Sequence, residues 1–406
     1  MSSFVNQRSE IGKLNTVMLH RPGIEIQSIV PEYLGDMLVE DIPYLASAQR
    51  EHDAFAKVLT DNGVEVLYLE DLFTEALNEE NVKLTFIRDF IRFSEVQGAR
   101  VQEIMFDFLS PKAPRELFRA ICKGITYNDL QTFPDKPIRL TITDPYPFIT
   151  DPTPNAYFTR DVGITVLNGM IVSSMSMHSR KRETLPVRYI HHHHPKFTAQ
   201  EVPLWYDYHL GYEIEGGDVL VLSDKVLAIG CGERTSVNAV ECVAERLFDN
   251  GYEHILLFNN PKSRKFMHLD VLCTMVDYDK FLVHPCIADK YFEVYDVTRK
   301  DGRIHASITT EPVKELFKKA LRLPAVEFIE VGGGDPFISS REHWNMGSNS
   351  LAISPGNIVT YERNEVTNDL LVKAGIKVNT IPGSELSRGR GGPRCMSMPI
   401  NREDIW

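Results

Sequence analysis

The segment at residues 386–399 places one cysteine, Cys395, directly after a run of glycine and arginine residues. Its glycines give the backbone the freedom to approach a ligand closely. Its arginines, Arg388, Arg390 and Arg394, add positive charge, which lowers the pKa of a nearby thiol and favours the nucleophilic thiolate. A buried structural cysteine behind a glycine-rich turn is an equally good interpretation, so the choice depends on partners elsewhere in the chain.

The segment Met267-His268-Leu269-Asp270 offers an imidazole and a carboxylate two residues apart. We expect it to begin an apolar strand, where side chains at i and i+2 lie on the same face. A single histidine in such a place is most often a core residue with satisfied hydrogen bonds. The neighbouring aspartate makes acid–base chemistry a more specific interpretation, although metal binding is also open.

Two further carboxylates stand just before predicted hairpins. Asp161 ends a proline-stiffened segment, residues 151–161, that also offers Asn155, and Glu215 precedes a Gly-Gly pair. Taken alone, each would be an ordinary polar loop residue. The run of four histidines at 191–194 lacks carboxylates at ligand spacing, and we expect it to form an exposed loop.

Together the chain offers one nucleophile, one general acid–base and three carboxylates: Cys395, His268, Asp161, Glu215 and Asp270. Three carboxylates near a cysteine argue against peptide hydrolysis, because negative charge raises the pKa of a thiol. They suit a cationic substrate instead. A guanidinium group is planar and can be held by carboxylates along two of its edges.

Four segments that could position these residues share one pattern, two apolar runs around a short turn, which is typical of hairpins. They are residues 164–175, 219–229, 272–283 and 351–361. Three of them lead into an Arg/Glu/Thr cluster that opens a helix. This repetition predicts a radial array of similar modules, whose loops converge at the centre. The N-terminal strand–helix–strand unit is a weaker member, which brings the count to five.

Residues 71–131 differ, because their apolar residues recur at three- and four-residue intervals and strand patterns are absent. We interpret them as an inserted all-helical subdomain. Residues 1–70 and 132–406 then form the catalytic α/β domain.

The composition excludes several classes of function. A net charge of −12 without a long basic stripe argues against nucleic-acid binding. No apolar run approaches the ~20 residues of a membrane helix, and the N-terminus lacks the apolar core of a signal peptide. Six scattered cysteines without a Cys-x-x-Cys pair are typical of reduced thiols, so we expect a cytoplasmic protein.

Six segments resemble those of the arginine deiminase family: residues 155–161, 180–184, 215–218, 233–235, 266–270 and 388–399. The resemblance covers nearly the whole chain. It implies the guanidine-modifying (pentein) superfamily, with a five-fold pseudo-symmetric α/β propeller. It also implies hydrolysis of L-arginine to L-citrulline and ammonia without a metal or any other cofactor. We further expect a homo-oligomer, either a dimer or a tetramer.

The resemblance also implies roles for the reactive residues. Cys395 resembles the family's nucleophile and His268 its general acid–base. In that family the histidine acts twice, once when the covalent thiouronium forms and once when it is hydrolysed. Asp161 and Asp270 resemble the carboxylates that hold the guanidinium group, and Glu215 resembles the one that supports substrate and histidine. We expect Asp161 and Asp270 to raise the pKa of the Cys395 thiol until a bound cation reverses the effect.

Five positions resemble the family's substrate-binding groups. Asn155, Arg180 and Arg234 resemble those that bind the amino-acid end. Arg390 resembles the arginine of a mobile loop that covers the site, and Gly389 lies beside it.

This chain departs from the family pattern beside the site. It has Val162-Gly163 where many relatives have Pro-Phe, and Gly232 where a serine is common. These differences bear on substrate affinity and loop rigidity more than on the reaction.

Three alternatives stay open at the level of the sequence. The first is another guanidine-modifying enzyme, a methylarginine hydrolase or an amidinotransferase. The second is a non-catalytic arginine-binding protein that has kept the fold. The third is a metal-dependent hydrolase that uses His268, Asp270 and another carboxylate.

Overall fold

The computed structural model of the protein describes residues 3–142, 145–288 and 292–405. Its strands are Leu14–Leu19 (β1), Glu65–Tyr68 (β2), Ile125–Thr126 (β3), Phe148–Thr150 (β4), Gly163–Val166 (β5), Gly169–Val172 (β6), Leu204–Tyr206 (β7), Val219–Val221 (β8), Val226–Cys231 (β9), His254–Asn259 (β10), Cys273–Met275 (β11), Lys280–Val283 (β12), Val294–Lys300 (β13), Arg303–Ile308 (β14), Glu327–Glu330 (β15), Leu351–Ser354 (β16), Asn357–Tyr361 (β17), Lys377–Ile381 (β18) and Met398–Arg402 (β19).

The helices are Ile24–Gln27 (α1), Leu45–Asp61 (α2), Leu69–Ala76 (α3), Glu80–Phe93 (α4), Ala99–Leu109 (α5), Pro114–Lys123 (α6), Ile138–Thr141 (α7), Thr159–Val162 (α8), Thr184–His193 (α9), Pro195–Thr198 (α10), Val237–Asp249 (α11), Pro285–Ala288 (α12), Val313–Ala320 (α13), Pro336–Trp344 (α14) and Glu365–Lys373 (α15). Among the residues that the structure describes, no helix is both long enough and apolar enough to cross a membrane.

Five sheets repeat one arrangement, in which a central strand pairs antiparallel with one neighbour and parallel with the other. The three-strand sets are β19-β1-β2, β5-β6-β7, β8-β9-β10, β11-β12-β15 and β16-β17-β18. The four hairpins predicted from the sequence are therefore confirmed. The N-terminal unit joins the series because the last strand, β19, supplies its antiparallel neighbour.

Sequence and elementary geometry explain this repeat. Antiparallel neighbours need only a short turn: Leu167, with φ of 53°, follows β5, and Gly356, with φ of 68°, precedes β17. Parallel neighbours need a crossover, and helices such as α2, α9, α11 and α15 lie in those connections. The strands β5, β6 and β8 are buried on both faces, because packed layers cover both sides of them.

The helices α3 to α6 follow one another from Leu69 to Lys123, as the apolar spacing predicts. One feature was not expected there: the two-residue strand β3 pairs with β4. The buried side chains of these helices form one cluster with residues of β6, α9 and β19, for example Met170, Leu185 and Met398. The subdomain boundary at 71–131 stays a prediction.

The loop expected for the histidine run was wrong, because His191, His192 and His193 form the last turn of α9. The expected exposure is confirmed for His192 and His193. His194 is buried and lies 3.1 Å from Glu75, so it acts as a packed link between two helices. Apolar residues before the run, such as Ile190, extend the helix into it.

The shared cluster gives a stability prediction. Phe86 of α4 is fully buried, with ring centroids 4.8 Å from Phe73 and 5.0 Å from Tyr189 of α9. Phe86→Ala should lower the free energy of unfolding by about 3–5 kcal/mol, because it leaves a cavity between helices and sheet. Urea denaturation measures the loss. Phe337→Ala, at a ring that is 82% exposed, is the matched control and should be nearly neutral; equal effects would contradict the packing.

Candidate active site

Cys395 lies just before β19, in a tight turn that follows the 3-10 turn Leu386–Gly389. Its side chain is buried, and Sγ lies 3.5 Å from Oδ2 of Asp270. The backbone N–H of Cys395 donates to Oδ1 of Asn349 at 3.0 Å, and its carbonyl accepts from the N–H of Arg160 at 3.0 Å. The sulfur is therefore fixed from both sides of its own backbone.

The glycines of this loop serve a different purpose from the expected one. A Cβ on Gly389 would lie 1.8 Å from the Tyr157 hydroxyl, and one on Gly391 would lie 2.0 Å from the Phe158 ring. These glycines therefore let the loop backbone approach side chains of the protein itself, whereas the sequence led us to expect close approach to a ligand. The residue of this loop in the left-handed region is Arg390, with φ of 64°.

His268 is the extended residue directly before the 3-10 turn Leu269–Val271, which carries Asp270, the carboxylate beside the sulfur. The predicted strand is wrong here, because regular pairing begins only at β11. Nε2 of His268 lies 2.8 Å from Oε2 of Glu215, and Nδ1 lies 3.8 Å from Oδ1 of Asp161. A Cβ on Gly217 would lie 2.4 Å from Nδ1, so the Gly-Gly pair after Glu215 makes room for the imidazole.

Each of the two candidate guanidinium-binding aspartates already holds one arginine of this chain. Nη1 of Arg180 donates to Oδ2 of Asp161 at 2.8 Å, and Nη1 of Arg394 donates to Oδ2 of Asp270 at 2.8 Å. Arg394 is held in turn by two hydrogen bonds to the buried carboxylate of Glu10. These ion pairs neutralise carboxylates that would otherwise be costly to bury.

The remaining oxygens of the same aspartates have a different status. Oδ1 of Asp161 and Oδ1 of Asp270 are buried, and neither has a hydrogen-bond partner among the described residues. Buried polar atoms are nearly always satisfied in native proteins, and exceptions need an explanation. Two carboxylate oxygens that lack donors constitute a site for a ligand that carries several N–H groups.

The candidate substrate-binding residues occupy the same cavity. Its walls are formed by Leu38, Asn155, Phe158, Asp161, Arg180, Arg234, Arg264, Met267, His268, Gly389, Arg390 and Cys395. Nδ2 of Asn155 donates to the carbonyl of Met37 at 2.9 Å, and Nη1 of Arg234 lies 3.5 Å from Oε2 of Glu215. The structure thus brings together all ten residues predicted from the sequence, with Glu215 and Asp270 directly behind the walls.

The three arginines that precede the cysteine are not equivalent. Arg388 points away and pairs with Asp41 on the surface. The Arg390 guanidinium lies 3.5 Å above the centroid of the Trp344 ring, a cation–π contact. Only Arg394 reaches the carboxylate next to the sulfur.

The sum of these charges acts against the thiolate. Burial, then Asp270 and Asp161, raise the pKa of the Cys395 thiol well above its usual range; the Gly392 N–H and Arg394 oppose this with smaller effects. The expected direction of the carboxylate effect is confirmed, and Arg394 supplies the expected opposing charge. The sequence first indicated a thiolate stabilised by the flanking arginines. Burial and the two aspartates outweigh that stabilisation.

The imidazole has the opposite bias. Burial would lower the pKa of His268, but Asp161 and the hydrogen bond with Glu215 raise it to about 9. Burial would raise the pKa of Glu215, but the His268 hydrogen bond and Arg234 lower it to about 2. At neutral pH the pair is therefore an imidazolium bound to a carboxylate.

Three residues with important contacts were missed by sequence reasoning. They are Glu10, which holds Arg394; Asp218, whose Oδ1 accepts the Leu269 N–H at 2.9 Å; and Asn349, which holds Cys395. Asp218 closes the Glu-Gly-Gly-Asp segment, so a signal for it was present. Glu10 and Asn349 stand in segments without a chemical pattern.

A metal-dependent alternative finds no support in the geometry. Within residues 3–142, 145–288 and 292–405, no cluster of three or more His, Cys, Asp or Glu side chains has an arrangement suited to a metal ion. His268 and Asp270 do not point at a common third ligand, because their partners are Glu215 and Arg394.

Solved structures that superimpose on nearly the whole chain define the class of fold. An amidinotransferase of Microseira wollei superimposes with a TM-score of 0.55 at 14% identity, covering 99% of this chain and 98% of that one. A dimethylarginine dimethylaminohydrolase gives 0.52 at 12% identity, covering 95% and 99%. At this identity the likeness establishes the fold, the mixed α/β fold of the penteins.

Sequence comparison then resolves the family within that fold. The family model described as arginine deiminase matches residues 35–402. An arginine deiminase of Limosilactobacillus reuteri is 46% identical over 409 aligned residues, covering 100% of both chains. The chain belongs to the arginine deiminase family, as the motifs around Cys395 and His268 predicted.

The imidazolium–carboxylate pair yields a pH prediction. The pKa of His268 is raised from 6.5 to about 9, so the stabilisation from this pair is complete below pH 6.5 and is lost as pH rises through about 9. Glu215→Gln should lower the pKa of His268, because it removes the charge that favours the imidazolium. NMR titration of the His268 ring measures the shift.

Glu25→Gln is the matched control, since Glu25 lies 3.1 Å from His20 in another buried pair. It should leave the His268 titration unchanged. An unaltered His268 pKa in Glu215→Gln would show that the pair is not the cause of the raised value.

Proposed function

We propose that this protein hydrolyses L-arginine to L-citrulline and ammonia through a covalent thiouronium on Cys395. The observation that carries the proposal is a pair of buried oxygens, Oδ1 of Asp161 and Oδ1 of Asp270, that accept no hydrogen bond from the described residues and lie beside a buried thiol and an imidazolium. A guanidinium group offers planar N–H donors and a positive charge, and both are needed there.

The first half of the reaction forms the intermediate. The Cys395 thiolate attacks the central guanidinium carbon, and His268 donates its proton to the departing nitrogen, which leaves as ammonia. A histidine whose pKa is about 9 enters this step already protonated at neutral pH. The product of this half is a thiouronium joined to sulfur.

The second half releases the product. His268, now neutral, takes a proton from water, and the resulting hydroxide adds to the same carbon. The carbon–sulfur bond then breaks while the hydroxyl group of this adduct loses its proton to solvent, which gives citrulline and regenerates the thiolate. One imidazole thus serves as acid and then as base, with Glu215 supporting both of its states.

We assign the amino-acid end of the substrate to Asn155, Arg180 and Arg234, which lie in the same cavity wall as the reactive pair. Arg390 and Gly389 border the cavity from the loop that carries Cys395. Nε and Nη2 of Arg390 are buried and have no hydrogen-bond partner among the described residues, which makes them available to a substrate carboxylate. The departures Val162-Gly163 and Gly232 lie beside these groups and should tune affinity.

The same proposal extends to architecture. We interpret the five repeated sheets as blades of a five-fold pseudo-symmetric propeller, with 71–131 inserted as a helical subdomain between 1–70 and 132–406. The support is the shared strand order of the five sheets and the run of helices α3 to α6.

Compartment and assembly are further parts of the proposal. None of the six cysteines, all of which lie in the described residues, forms a disulfide, which supports a reducing cytoplasm. We propose a homodimer or homotetramer, as the family resemblance implies. Light scattering coupled to size exclusion measures the assembly directly.

The chemistry is tested first at the nucleophile. Cys395→Ser should abolish citrulline formation while circular dichroism stays unchanged, because the hydroxyl is a far weaker nucleophile than a thiolate. Cys231→Ser, at a half-exposed cysteine, is the matched control and should retain turnover. Acid quench during turnover, followed by mass spectrometry, should find arginine minus ammonia on the Cys395 peptide. Normal turnover in Cys395→Ser would end the proposal.

Substrate comparison separates the related functions. With water as the acceptor, arginine should yield citrulline and ammonia; a methylarginine hydrolase would prefer the methylated substrate, and an amidinotransferase would need an amine acceptor. Arginine binding without ammonia release would indicate a non-catalytic relative.

The state of the thiol gives an independent prediction. In the free protein, thiolate absorbance should appear only at alkaline pH, because burial and the carboxylates raise the pKa of Cys395. A saturating, non-reacting arginine analogue should move the transition to lower pH, since it adds a cation. Ultraviolet titration measures both, with Cys395→Ser subtracting the other thiols. A free enzyme that is mainly thiolate at pH 7 would contradict this account.

A further inference from the structure

Each of the five sheets contributes one buried site residue from the segment immediately before its first strand. Asp161 precedes β5, Glu215 precedes β8, Asp270 precedes β11 and Cys395 precedes β19. The proposed reaction uses all four of these. The fifth sheet begins at β16, and the residue at the same place is Asn349.

The side chain of Asn349 is fully buried and makes contacts to two parts of the site. Its Oδ1 accepts the N–H of Cys395 at 3.0 Å and the N–H of Gly392 at 3.2 Å. Its Nδ2 donates to the carbonyl of Asp270 at 3.2 Å. One amide therefore joins the segment that carries the sulfur to the segment that carries its carboxylate neighbour.

The residues on either side of Asn349 hold it in place. Ser348 Oγ donates to the carbonyl of Val271, and Thr274 Oγ1 donates to the carbonyl of Ser348 at 2.7 Å. Thr274 also lies 2.9 Å from the Ser350 hydroxyl. The segment 348–350 is thereby fixed to the residues that follow Asp270, and the amide has little freedom to move.

The turn at Cys395 is shaped to meet this amide. A Cβ on Gly392 would lie 2.6 Å from the carbonyl oxygen of Asn349 and 2.8 Å from its Oδ1. Glycine at position 392 therefore permits the contact between this turn and Asn349. Without the amide oxygen, two buried N–H groups would lose their acceptor, which carries a full desolvation penalty.

We propose that Asn349 is the positioning residue that sets the place of Cys395 Sγ relative to Asp270, an inference that rests on the proposed function. It does not touch the substrate. It fixes the backbone from which the sulfur projects, so it determines whether the 3.5 Å spacing between Sγ and Oδ2 of Asp270 is kept. Small misplacements of reacting groups cost about 100-fold in rate.

The test compares Asn349→Ala with a matched control, Asn368→Ala. Asn368 is also buried, and its amide likewise accepts one hydrogen bond, from Thr360, and donates another, to the Tyr361 carbonyl. Both variants should lose stability in urea denaturation. Only Asn349→Ala should lose about 100-fold in kcat, with the affinity for a non-reacting arginine analogue within a few-fold of the parent.

A second variant separates positioning from general damage. Asn349→Asp keeps an oxygen for the N–H groups of Cys395 and Gly392 and adds negative charge. It should recover most of the kcat lost in Asn349→Ala at high pH, while thiolate absorbance shifts to higher pH. The shift follows from the added charge whatever the role of Asn349, so the recovery of kcat is the outcome that reports on positioning.

A readout without turnover keeps this inference distinct from the proposed function. Alkylation of Cys395 by iodoacetamide, followed at the peptide level, should slow in Asn349→Ala and not in Asn368→Ala. If the parent protein makes no citrulline, the proposed function fails, and alkylation still reports on the amide. Parent-like kcat and alkylation in Asn349→Ala, or equal losses in both alanine variants, would overturn the positioning role.

Discussion

The rest of the site depends on the burial of three carboxylates in one small volume. An unpaired buried carboxylate costs several kcal/mol even after the protein relaxes. The chain offsets this with one arginine for each carboxylate. The pairs are Arg180 with Asp161, Arg394 with Asp270 and Arg234 with Glu215. Each arginine takes one oxygen of its partner. Of these three carboxylates, Asp161 and Asp270 each keep a second oxygen that accepts no hydrogen bond from the described residues. Their hydrogen bonding is therefore incomplete at the place where a cation would bind.

The repeated sheets explain how such distant residues reach one volume. In every sheet, a residue of the segment just before the first strand is buried in or beside the site. Glycine at the entry segments permits close contact, as Gly217 does against His268 and Gly392 against Asn349. The site therefore draws on the entry segment of every sheet: the segment before β11 supplies both His268 and Asp270, and the segment before β16 supplies Asn349.

Much of this could be predicted from the sequence, because chemistry and strand pattern are both local. The hairpins follow from apolar runs around short turns, and Cys395, His268 and the carboxylates stand in recognisable segments. The partner of each arginine could not be predicted, since charge alone does not tell which carboxylate a guanidinium reaches. Asn349 was missed for a related reason: an amide gains its role from the two segments it joins, which are far apart in the chain. The strand expected at His268 failed because the apolar run begins before backbone pairing does.

The opposite biases of the two reactive groups have a common physical origin. The negative field of Asp161, which together with that of Asp270 raises the pKa of the Cys395 thiol, also stabilises the imidazolium of His268, because a negative field favours every protonated form. In the free site, His268 is consequently protonated and able to act as an acid, whereas Cys395 is a thiol and therefore a poor nucleophile. A guanidinium bound between the aspartates cancels part of that field. In the proposed reaction, the same cancellation lowers the pKa of the thiol and weakens the hold on the imidazolium proton, so a single binding event prepares both the attack on carbon and the protonation of the leaving nitrogen. A neutral ligand of the same shape leaves the field intact, so in the proposed reaction it prepares neither step.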